Sequence, residues 1–97
     1  MKVIGHENAS WFLFEDMGDY YLDVNSGYSF VGYSICFKLN QDEISDYNIR
    51  KEKFVSDLAQ RVNYSQKTYL ERQNQLSSEI QEKMASAIQM WKASNRS

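Results

Sequence analysis

Hydrophobic and polar residues alternate along residues 1–39, whereas beyond residue 40 the hydrophobic positions recur every third or fourth residue. The first period is that of strands and the second that of helices. The stretch from Tyr20 to Leu39 holds two runs rich in Tyr, Val, Ile and Phe, separated by Asn25, Ser26 and Gly27. That spacing predicts an antiparallel hairpin with a connection of about three or four residues. On its second arm Val31, Tyr33, Ile35, Phe37 and Leu39 share one face, and Tyr28, Phe30, Ser34 and Lys38 share the other. On the first arm Tyr20, Leu22 and Val24 lie opposite Tyr21 and Asp23. Upstream, Trp11 to Glu15 is apolar on both faces, so it predicts a strand covered by a helix on one side and by something else, a partner included, on the other. Gly18 in Asp16-Met17-Gly18-Asp19 supplies the turn of a first hairpin. Lys2 to Gly5 adds a short edge strand, and His6 to Asn8 a loop.

Asn40 and Glu43 form a capping-box pair, so a helix starts there. Ile44, Tyr47, Phe54, Val55, Leu58, Ala59 and Val62 fall within about 140° of arc, the width of a core-facing stripe. Ile49 points away from it, which leaves room for a break near Asn48. A second stripe runs through Tyr69, Gln73, Leu76, Ile80, Met84, Ala87 and Trp91. Two geometries fit: a helical hairpin turning at Asn63 to Ser65, where both ends are acceptable caps, or one long helix whose uncovered stripe implies a dimer. The hairpin suits a small domain better. The predicted fold is a single α+β domain over 1–97: an antiparallel meander of three to four strands (1–39), then two helices packed on one face (40–92), then a flexible tail (93–97).

Charge sharpens this picture. Residues 1–48 hold two basic side chains against eight acids, a balance of -6, while residues 49–97 hold nine against five, a balance of +4. An acidic strand half carries the wrong sign for nucleic acid and the right one for a protein with a basic surface. One cysteine, Cys36, excludes an internal disulfide and fits a reducing compartment. The opening residues carry no secretory pattern and no stretch approaches a membrane span, so a cytoplasmic protein without membrane contact is expected.

Catalytic chemistry finds little support in the residues. His6 is the only histidine and has no metal-ligand spacing around it; Cys36 has no neighbouring base; the glycines are isolated. We expect no enzyme, cofactor or metal. What remains is surface recognition, in which tyrosines supply contact area and carboxylates supply steering. The face of the hairpin away from the core gathers Tyr21, Asp23, Tyr28, Phe30 and Ser34, with Glu15, Asp16 and Asp19 at its rim, and these eight are the expected partner-binding residues. Ordinary solvated sheet, or packing under the second helix, is the alternative fate of that face. Trp91 and Met84 are assigned to the core stripe.

The run WFLFED followed by YYLDVN, and then a YS-containing strand ending in FKLNQDE, resembles small bacterial immunity proteins encoded beside contact-dependent or Rhs-type polymorphic toxins. The resemblance covers residues 3–62 and leaves the Tyr69 to Trp91 helix unmatched. It implies a cytoplasmic antidote that binds one cognate toxin domain and blocks its active site; of the two helical geometries, the favoured hairpin gives a monomer and the long helix a homodimer through the C-terminal helix. Such toxins are often nucleases with basic clefts. Two alternatives make other claims: a phage-encoded inhibitor of a bacterial defence nuclease, with the same surface demands, and a homodimeric helical adaptor.

Overall fold

A computed structural model describes residues 1–7, 10–25 and 34–94. The order of elements within them is β1 (Lys2–Glu7), β2 (Trp11–Asp16), β3 (Asp19–Asn25), β4 (Ser34–Lys38), α1 (Gln41–Arg50), α2 (Glu52–Tyr64), α3 (Gln66–Gln73) and α4 (Ser78–Ser94). The strands form one antiparallel sheet in the order β1-β2-β3-β4, so the α+β class and the meander stand. His6 and Glu7, expected in a loop, are the last residues of β1. A bulge between Val3 and Gly5 puts Ile4 and Gly5 on the same side of β1, and the Trp11 ring lies 3.5 Å from where a Cβ at Gly5 would stand.

The β2–β3 hairpin pairs Asp16 with Asp19, so Met17 and Gly18 are its two turn residues, both with positive φ (53° and 86°). This is the backbone a two-residue hairpin requires, although methionine is a poor occupant of it. The β3–β4 register differs from expectation. Asn25 pairs with Ser34, whereas a three- or four-residue turn on Asn25 to Gly27 would pair the arms nearer to Tyr28; Ser26, Gly27, Val31 and Tyr33 lie outside the described residues. Tyr28 and Phe30 also lie outside the described residues.

Helices cover both faces of the sheet, not one. Trp11, Leu13, Leu22, Val24, Ile35 and Phe37 pack with Phe54, Val55, Leu58, Ala59 and Val62 of α2. The other face, Phe14 and Tyr21, packs with Met84 and Ala87 of α4. The second cover that Trp11 to Glu15 requires therefore comes from the same chain. Side chains of this size stabilise by roughly 1.5–3 kcal/mol each when fully buried, so both layers count.

Three interruptions divide the helical half. Lys51, with φ 57° and ψ -134°, separates α1 from α2, a few residues beyond the break the Ile49 misfit suggested. Ser65 separates α2 from α3, within the expected turn. The third, at residues 74–77, cuts the second stripe in two. Ser77 Oγ accepts the Ile80 N–H at 3.2 Å, so a serine cap starts α4. The consequence is topological. On one side of the break Tyr69 of α3 packs on Phe37 with ring centroids 5.0 Å apart, and the Gln73 side chain accepts the Cys36 N–H at 2.9 Å. Leu76 within the break, and Ile80 and Met84 past it, lie against the opposite face. The chain thus rounds β4 and crosses from one face of the sheet to the other, shielding a strand edge that would otherwise present unpaired backbone groups. The α4 stripe is covered within one protomer, which removes the physical reason for a dimer built on a long helix.

Candidate functional site

The eight expected partner-binding residues do not form one surface. Tyr21 is 5% exposed, packed beneath Met84 and Ala87, and is corrected from a surface anchor to a core residue. Burial, and after it the nearby Asp19 carboxylate, pushes its hydroxyl pKa up. Asp16 is engaged by Lys83 at 3.6 Å and by the Met1 amine at 3.5 Å, and Asp19 by Lys38 at 3.4 Å. The acids at the α4 side of the β2–β3 turn are thus offset by cations of the same chain, and the acidic rim expected there is largely neutralised. Asp23 and Ser34 lie together at the other end of that face. Glu15 is on the opposite face, paired across the strands with Tyr20.

Glu15 belongs instead to a corner of the molecule where the β2–β3 hairpin meets α1. The Tyr20 and Tyr47 rings stand 6.0 Å apart, both half-buried. The Tyr47 hydroxyl has its pKa raised by burial, then by Tyr20, Glu52 and Glu15 in that order, which places two carboxylates near the tyrosine pair. Lys51 Nζ lies 5.7 Å from the Tyr47 ring centre, a weak cation–π contact at an exposed position. Met17, at the hairpin tip, is 93% exposed. Sequence periodicity placed Tyr20 and Tyr47 on core-facing stripes, and they are on them, but at the edge. The legible signal was the residue type, since a tyrosine at the margin of an apolar stripe keeps its hydroxyl in water.

A second constellation lies where β1, β2, β3 and β4 meet the last turns of α4. His6, Phe12, Asp23, Ser34, Trp91 and Lys92 line a cleft of about 340 Å3. The His6 ring is 4.3 Å from Trp91 and 5.9 Å from Phe12, and Phe12 meets Trp91 edge to face at 5.3 Å. Burial holds the Asp23 carboxyl up at about 6, against the lowering effect of its hydrogen bond from Ser34 and of Lys92. Cys36, the β4 partner of Asp23 in the β3–β4 register, is pushed up to about 11 by burial and then by the Asp23 charge, so it is a neutral thiol near pH 7. Ser34 hydrogen-bonds Asp23 directly, whereas a nucleophilic serine passes its proton to a base that the carboxylate orients. His6 and Trp91 were missed as site residues because only the tertiary fold brings the first strand and the last helix together.

Among the described residues no three His, Cys, Asp or Glu side chains gather as a metal site, and no helix is long and apolar enough to cross a membrane. No protein-family model, no curated protein and no solved structure matches this chain.

Proposed function

We propose that the protein is a non-catalytic inhibitor of another protein, an immunity protein that neutralises a cationic toxin domain such as a nuclease by covering its basic active site. The surface we assign to this role is the corner formed by Glu15, Tyr20, Tyr47 and Glu52, with Met17 projecting beside it. The observation that carries the reading is the half-buried tyrosine pair at 6.0 Å with two carboxylates acting on it. Tyrosines that are already packed lose little freedom on binding, and carboxylates beside them speed encounter with a basic partner and exclude acidic ones. Asp42 and Asp46 on the exposed side of α1 carry the same sign.

Co-expression with the product of the adjacent gene provides the test. We expect the two proteins to co-purify, and Tyr47→Ala or Glu15→Lys to weaken the complex by one or more kcal/mol, about five- to tenfold in Kd. Undiminished affinity in both variants would remove this corner from the interface. A complex abolished instead by substituting the cations of α3 and α4 would reverse the electrostatic argument.

A further inference from the structure

The Asp23 cleft lies about 10 Å along β2 from Glu15 and on the opposite face of the sheet, so it needs an account of its own. The geometry points to a binding site for a delocalised organic cation of the guanidinium type, with the Asp23 carboxylate as its counter-ion and the Phe12 and Trp91 rings as its walls. Asp23 sits between Phe12 and Cys36 in the strand register, and His6, Ser34 and Lys92 line the same cleft. Ser34 donates to Asp23, yet a carboxylate has about four acceptor positions, enough left for two parallel N–H groups. The Phe12 and Trp91 rings line the cleft, and a guanidinium packs favourably on aromatic rings because it is planar and weakly hydrated. The cleft volume, about 340 Å3, matches a side-chain-sized guest.

Lys92 at the rim is the resident competitor, since it already acts on the Asp23 charge. A lysine ammonium is compact and strongly hydrated, and Lys92 is exposed, so it is poorly suited to the desolvated position that a guanidinium takes. His6 also lines the cleft, in ring contact with Trp91. The guest is either a free small molecule or an arginine side chain of a peptide, and both present the same group to Asp23.

The test is an NMR titration of the 15N-labelled full chain at pH 7.5, following the Trp91 indole signal with N-methylguanidinium chloride and, in a second arm, with a blocked arginine amide. Sodium chloride at matched ionic strength is the control. We expect a saturable shift in the millimolar range with at least one probe, weakened at least about tenfold by Asp23→Asn and tightened by Lys92→Ala. Tighter binding of the arginine amide assigns the site to a peptide side chain, and binding of N-methylguanidinium alone assigns it to a free cation. The proposal is overturned by a titration without saturation, by an equal shift with sodium chloride, or by an Asp23→Asn chain that binds as well as the parent. Lys92 is exposed and outside the core, so Lys92→Ala folds whatever Asp23→Asn does, and unchanged affinity there also counts against the site.

Discussion

Arg72 ties together the parts of the fold that the chain order does not, and its removal is the sharpest test of the packing described above. Its guanidinium donates to both Glu43 oxygens, at 2.8 and 2.7 Å, and to the Lys38 carbonyl at 2.6 Å. It also lies 4.5 Å from the centre of the Phe37 ring. One side chain of α3 thereby grips the first turn of α1, the end of β4 and an aromatic of the core. Breaking a fully buried ion pair by deleting one partner costs about 3–5 kcal/mol, and the stacked contact adds about 1 kcal/mol. Residual exposure of the two side chains, 23% and 12%, lets water recover part of that loss. We therefore expect Arg72→Ala to destabilise the protein by about 3 kcal/mol, measured by urea unfolding. Arg72→Lys, which keeps the charge and loses the fork, is expected to cost about 2 kcal/mol. Glu43→Gln is the informative partner variant, because glutamine preserves the capping box in which Glu43 accepts the Asn40 N–H at 2.9 Å. The double-mutant cycle between the two positions should show a coupling of at least about 1 kcal/mol. A cost below about 1 kcal/mol for Arg72→Ala, or additive single effects, would mean that the clamp contributes nothing the solvent does not replace.

Two further expectations concern other parts of the chain. The Asp23 carboxyl, held at about 6 in the fold against an ordinary 3.8, binds its proton more tightly folded than unfolded, so its contribution is most favourable below about pH 4 and is lost as pH rises to about 6. The loss amounts to at most about 3 kcal/mol. Stability curves for the parent and Asp23→Asn should diverge across that window with the variant the more stable at pH 7, and parallel curves would show that the carboxylate is not desolvated. Ser34, Lys92, Cys36 and His6 surround Asp23 and are common to both chains, so the difference isolates this carboxyl. At the β2–β3 turn, Met17→Asn replaces a side chain strained at φ 53° with one that tolerates it, and the urea midpoint should rise by the equivalent of about 1 kcal/mol. A fall would indicate that the exposed methionine is held by contacts worth more than the strain.

Much of this protein was determined by its sequence because the signals are local. The change from an alternating to a helical period fixes the class, Gly18 marks the turn between β2 and β3, and Asn40 with Glu43 starts α1 where the capping box says it should. Ile35, Phe37, Phe54 and Leu58 are buried because the strand and helix periods put them on one side. The facing of the two helical stripes is another matter. A stripe states that a face must be covered, never which surface covers it, and the break at residues 74–77 sends α4 to the far side of the sheet with no glycine or proline to announce it. That one crossing buries Tyr21, pairs Asp16 with Lys83, and sets His6 beside Trp91, so it decides which acids and tyrosines face water. Periodicity is a property of neighbours in the chain. The cleft around Asp23 and the corner at Tyr47 are made by residues far apart in sequence, and only long-range packing brings them together.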